Sequence, residues 1–98
     1  PELKGMKSLR GLHLTNCGLR RVPAFVRELS SLKEFSIYEN EHLQIETSLD
    51  YLIECCPRLC VVKMKKHPDD SWTQQSLTHL WAFKLKLLKK NPSAKVEF

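Results

Sequence analysis

What this chain lacks narrows it first. No apolar run approaches the roughly 20 residues needed to cross a bilayer as a helix, and no basic stretch leads into an apolar one as in a secretory leader. Glycine is scarce, with three in 98 residues. Gly18 fits a tight bend after Asn16-Cys17, but without further glycines beside it there is no phosphate-cradling loop. No two cysteines show the C-x-x-C spacing of zinc ribbons and redox motifs. Low-complexity segments are absent too. The lysines are not interleaved with exposed aromatics or arginines in the manner of nucleic-acid readers.

What is present is enough for one domain or part of one, with 42% apolar residues to make a core. The net charge of +5 is uneven. Residues 1–58 are neutral overall, and the whole excess lies in residues 59–98, in Lys63, Lys65, Lys66, Lys84, Lys86, Lys89, Lys90 and Lys95. Such asymmetry marks either an acidic-partner or nucleic-acid surface, or a solvated helix face that keeps the protein soluble. The four cysteines (Cys17, Cys55, Cys56, Cys60) read as reduced thiols, because adjacent Cys55 and Cys56 would pair only with strain. The expected setting is cytoplasmic or nuclear.

A period runs through the chain. Leu9, Leu12, Leu14, Cys17 and Leu19 spell L-x-x-L-x-L-x-x-C-x-L. The same skeleton returns 23 residues later at Leu32, Phe35, Ile37 and Asn40, with Leu43 slightly displaced. It returns 27 further on at Leu59, Val62, Met64 and His67. Between the first two frames lie Val22, Pro23, Val26 and Leu29, and Leu3, Met6 and Leu9 sit 23 residues before Val26, Leu29 and Leu32.

This pattern resembles the leucine-rich repeat, including the tail of its 23-residue form, over most of the chain. Cys56-Pro57-x-Leu59 is similar to the C-P-x-L junction of cysteine-containing repeats such as those of F-box proteins. A single unit cannot bury its own apolar side, so units stack into a continuous core. The fold class implied is α/β: a solenoid with a short parallel sheet on the concave side and helices and irregular segments on the convex side. Residues 1–98 are then one leucine-rich-repeat domain, with repeats near 9–31, 32–58 and 59–93 and a final strand at 94–98. The amino end opens in mid-repeat, which implies the carboxy-terminal end of a longer solenoid, or an exposed edge strand that needs a partner.

Local signals predict the elements. Leu49, Leu52, Ile53 and Cys56 at i, i+3, i+4 and i+7 predict an amphipathic helix over Glu46–Cys56, capped by Thr47 or Ser48 and stopped by Pro57. Pro23 marks a bend that needs no ladder donor. Thr73–Lys90 predicts the longest helix, with Leu77, Leu80, Trp81, Leu85, Leu87 and Leu88 on a broad apolar side and Trp81 in the core. Asn91-Pro92 ends it. Ala94–Phe98 alternates as a last strand, Val96 and Phe98 taking the places of Leu12 and Leu14.

Reactive-looking residues read mostly as scaffold. Cys55, Cys56, Cys60 and His67, with Asp69 or Asp70, form a C-C-x3-C-x6-H array. Structural zinc needs four converging ligands, and consecutive helical cysteines point about 100° apart, so neither a metal nor any other cofactor is expected. A catalytic Cys–His pair needs a base within hydrogen-bond reach of the thiol. Cys17 occupies the repeat's Asn/Cys position, where the side chain turns inward to satisfy the bend, while His13 points to the opposite face; no enzyme is expected. Trp72 fits either an exposed anchor at a partner interface or packing at the helix start.

The resemblance implies that outward residues of successive strands form columns about 4.8 Å apart. One column is Gly11, Glu34, Val61 and Lys95; the next His13, Ser36, Lys63 and Glu97; the third Thr15, Tyr38 and Lys65. Asn16, Glu39 and Lys66 lie beside them. The expected role is a non-catalytic protein-interaction module, as in ubiquitin-ligase adaptors, immune sensors or signalling scaffolds. Its contact residues would be His13, Thr15, Glu34, Ser36, Tyr38, Lys63 and Lys65, with Tyr38 as anchor and the lysines steering an acidic partner. The alternative is RNA or anionic-lipid binding through the basic carboxy-terminal half, including the patch Lys84, Lys86, Lys89 and Lys90.

Overall fold

Four short stretches of alternating residues set the architecture, because alternation sends successive side chains to opposite faces of a strand. The computed structural model describes residues 8–66 and 70–98. It contains β1 (Gly11–Thr15), β2 (Glu34–Tyr38), β3 (Val61–Lys65) and β4 (Lys95–Glu97), all parallel and in the order β1-β2-β3-β4. The register pairs Leu12 with Phe35, Phe35 with Val62 and Val62 with Val96. Leu14 pairs with Ile37, and Ile37 with Met64. The three columns expected from the period are therefore the columns of the sheet. Phe98 falls just past β4.

Parallel neighbours need a crossover between them, and the three crossovers share one core with the sheet. The first holds a 3₁₀ helix, Ala24–Glu28, entered through Pro23, whose fixed φ of −61° suits the position and whose missing N–H costs nothing there. Val26, Leu29 and Leu32 follow its tight spacing into the core and are fully buried. The second holds α1 (Asp50–Cys55), and the third α2 (Gln74–Lys90).

α1 is shorter than the periodicity predicts. Leu49 is its cap, and Ser48 instead accepts the Asp50 N–H through its hydroxyl at 3.2 Å. The preceding chain is tied elsewhere: Ile45 N–H donates to the Ser76 hydroxyl at 2.8 Å and Gln75 Nε2 to the Glu46 carbonyl at 3.3 Å, both on α2. Leu49, Leu52 and Cys56 still reach the core.

α2 begins as expected, with Thr73 Oγ1 accepting the Ser76 N–H at 3.1 Å. Its buried side differs from the expected one. Ser76, Leu80, Phe83 and Leu87 face inward, while Trp81 is 51% and Leu85 66% exposed. The apolar residues of this helix span more of its circumference than the core can cover. Phe83, at i+3 from Leu80 and i−4 from Leu87, defines the stripe that closes over the sheet. Ser76 is accommodated by saturating its hydroxyl: it accepts from Ile45 N–H and Thr73 Oγ1 and donates to Gln44 Oε1 at 2.7 Å.

Candidate interaction surface

The odd-numbered positions of β1 and β3 and the even-numbered ones of β2 point away from the core, and no element of the described residues covers that face. On it His13, Thr15, Glu34 and Lys65 are exposed, and Tyr38 and Lys63 are half-buried. Ser36 is 3% exposed. A serine between His13 and Lys63 in register is shorter than both neighbours, so of the expected contact residues it lies lowest on this face. Tyr38 stands in the row Thr15–Tyr38–Lys65, where its ring is flanked by one small and one long neighbour.

The charges on this face are paired across strands. His13 Nε2 lies 3.9 Å from Glu34 Oε2. Lys63 and Lys65 Nζ lie 3.8 Å and 3.6 Å from the two oxygens of Glu97. One carboxylate thus serves two ammonium groups, and the β3–β4 side keeps a positive excess. All these groups are substantially exposed, so the pairs add little to stability. Beyond the strand ends the sign reverses. A shallow hollow is lined by Asn16, Glu39, Glu41 and Asp70, and among the described residues the ammonium of Lys66 reaches this rim. It donates to the Glu41 carbonyl at 2.8 Å and sits 4.9 Å from the Trp72 ring centroid. Burial lowers the pKa of Lys66, against the opposing pull of Asp70 and Glu41. Trp72 is half-buried beneath that lysine, so it combines helix-start packing with a cation–π contact.

The bends at the strand ends are built by Asn40. This side chain, 2% exposed, accepts from Cys17 N–H at 2.8 Å and Leu19 N–H at 3.3 Å through Oδ1. Through Nδ2 it donates to the carbonyls of Leu14 and Tyr38, both at 3.0 Å. Cys17 does not turn inward as expected. It is exposed, and its thiol reaches only the Thr15 carbonyl at 3.4 Å. A thiol is a weak donor and acceptor, whereas a carboxamide offers two donors and a strong acceptor, so the single amide of Asn40 ties together the bends that follow β1 and β2. Asn16 (φ 50°) and Glu39 (φ 53°), 23 residues apart and each following a strand, both lie in the left-handed region, and Gly18 (φ 70°) follows the first.

The other cysteines diverge. The Cys56 thiol is buried and donates to the Val26 carbonyl at 3.6 Å, and burial pushes its pKa up to about 11. Cys55 and Cys60 are half-buried. No group of three metal-ligating side chains converges among the described residues; His67 and Asp69 of the sequence array lie outside them.

The lysines of α2 are spread rather than gathered. Lys84 and Lys86 are about 160° apart around the helix axis, on nearly opposite sides. Lys86 pairs with Asp50, whose pKa that contact lowers. Lys90 Nζ donates to the Ile53 carbonyl at 3.4 Å, and Lys84 lies against Trp81. Only Lys89 of the four has no such contact described. What sequence reasoning missed is that Trp81 and Leu85 lie at the surface, with the half-buried Phe98 ring against Trp81. The i, i+4 spacing of Trp81 and Leu85 was visible, but not that this side of the helix faces out.

No helix among the described residues is long and apolar enough to cross a membrane. Comparisons with protein-family models, with curated proteins and with solved structures find no match to this chain.

Proposed function

We propose that this chain is a non-catalytic protein-interaction module of the leucine-rich-repeat kind, and that it engages its partner through the uncovered face of the sheet. The repeat reading is supported by the register, which places Leu12, Phe35, Val62 and Val96 in one inward row, and by the matching left-handed residues Asn16 and Glu39. The observation that carries the functional reading is the half-buried Tyr38, between Thr15 and Lys65, on a sheet face that no element of the described residues covers. A tyrosine presented on rigid strands offers a large contact area and a hydroxyl at little entropic cost. The Lys63–Glu97–Lys65 cluster beside it favours a partner with an acidic patch and accelerates encounter. Nucleic-acid or lipid binding finds less support, because the α2 lysines point in different directions and two of them are engaged on α1.

The test is capture of partners on the immobilised chain, compared among wild type, Tyr38→Ala, and the pair Lys63→Glu/Lys65→Glu. The Tyr38 variant is expected to lose about tenfold or more in retained partner, and capture is expected to persist after nuclease treatment. If Tyr38→Ala retains the same proteins at the same level, or nuclease releases them, the reading is wrong.

A further inference from the structure

α2 and β4 meet at a corner separate from the sheet face. Trp81, Leu85 and Leu88 recur at i, i+4 and i+7 and so share one side of α2. Trp81 and Leu85 are the two large apolar residues that the described structure leaves exposed. The Phe98 ring meets Trp81 edge-on, with centroids 5.1 Å apart and planes at 88°. Lys84 lies over both rings, its Nζ 5.0 Å from the Trp81 centroid and 5.8 Å from that of Phe98. The aromatic pair is therefore held in place rather than loosely displayed.

Beside this corner runs the outer edge of β4, which has no strand against it among the described residues. An edge strand presents outward N–H and C=O groups that can template another strand. Two adjoining hollows of about 340 and 460 Å³ follow it and share Lys84, Val96 and Glu97. One reaches Trp81 and Phe98, the other Leu88 and Lys95. The charge along this groove is one-sided: Lys63, Lys65, Lys84 and Lys95 line it against the single carboxylate of Glu97, already shared by two of them.

We infer that the β4 edge is a docking groove for an extended, acidic segment of a partner protein, which adds to the sheet as a fifth strand. Its main chain bonds to β4. Alternate side chains, apolar, pack on Trp81, Leu88 and Phe98, and the intervening carboxylates meet Lys95, Lys63 and Lys84. The lysines select the occupant. A second copy of this chain would bring the same lysines against their own kind, and an apolar strand would leave them unpaired. This groove shares Lys63 and Lys65 with the sheet face but not Tyr38, so the Trp81→Ala and Tyr38→Ala variants separate the two readings.

The probe is a fluorescein-labelled peptide alternating leucine with glutamate, titrated with the whole chain and read by fluorescence anisotropy. Saturable binding is expected, weakened about tenfold by Trp81→Ala and similarly by Lys84→Glu, and unchanged by Tyr38→Ala. Methylating alternate backbone nitrogens of the peptide should abolish binding, since strand addition depends on its main chain. Trp81 is exposed, so its replacement is expected to leave the fold intact by circular dichroism; if it does not, the Lys84→Glu and N-methyl arms decide. The proposal is overturned if the N-methylated peptide or a leucine–glutamine peptide binds equally well. It is also overturned if Lys84→Glu has no effect, if mixed-sequence RNA occupies the groove in preference to the peptide, or if sedimentation shows the chain pairing with itself through this edge.

Discussion

Replacing Asn40 by alanine tests how the strand-end bends are held. The substitution removes four hydrogen bonds at once, two accepted by Oδ1 and two donated by Nδ2. A buried donor or acceptor stripped of its partner costs about 1–3 kcal/mol. Not every group is stranded, since Cys17 lies at the surface and water can reach its N–H. Leu14 and Leu19 are half-buried, so their groups are replaced by water less readily. The expected loss is about 2–4 kcal/mol, set against a total of about 5–15 for a typical domain. With a urea slope of about 1–3 kcal/mol per molar, the midpoint should fall by about 0.7–4 M, or about 1.5 M at the centre of both ranges. Equilibrium urea unfolding followed by circular dichroism reads this directly. The control is Cys17→Ala, 23 residues earlier in the bend after β1, where an exposed thiol should cost less than about 0.5 kcal/mol. Equal effects of the two substitutions, or an Asn40→Ala loss below about 1 kcal/mol, would refute the account of the bend.

Three further outcomes are expected. Gly18→Ala should destabilise by about 1 kcal/mol in the same urea assay despite open space around the new methyl group, because φ is +70° there and an L side chain is strained in that region. Asp50 has its pKa lowered by Lys86, so the stability that pair contributes is present above the ordinary carboxylate pKa and lost as pH falls through the depressed one. Below about pH 4, wild type should therefore converge on Asp50→Asn in urea midpoint; a constant gap down to strong acid would contradict the assignment. Alkylation by iodoacetamide at neutral pH, followed by mass spectrometry, should label exposed Cys17 first and Cys56 last, since the latter is buried with its pKa raised to about 11. Early modification of Cys56 in the folded protein would count against that burial.

The strands and their register were legible because alternation and the 23-residue offset are local properties of the chain. A residue two positions from an inward leucine must also point inward, so Phe35, Ile37, Val62 and Met64 declared their face without knowledge of their neighbours. The extent of α2 was legible for the same reason: its apolar periodicity and the stop at Asn91-Pro92 act within the helix itself. The outward columns followed from the register, which is why the Thr15–Tyr38–Lys65 row stands as read.

Other features depend on what lies opposite, and these only the tertiary structure decided. α2 carries more apolar residues than one buried stripe holds, and the sheet beneath it selected Leu80, Phe83 and Leu87 over Trp81 and Leu85. The start of α1 moved because Ser76 and Gln75 of α2 capture the backbone at Ile45 and Glu46. Ser36 is buried although it points to the same face as His13 and Lys63, because its neighbours in register are longer, not because of its own direction. Asn40 gained the role expected of Cys17 because only a carboxamide can satisfy two bends at once. By itself, then, the sequence determined direction, a property each residue has relative to its own backbone. Cover, the property that separates core from surface and surface from site, belongs to pairs of elements and is settled only when they meet.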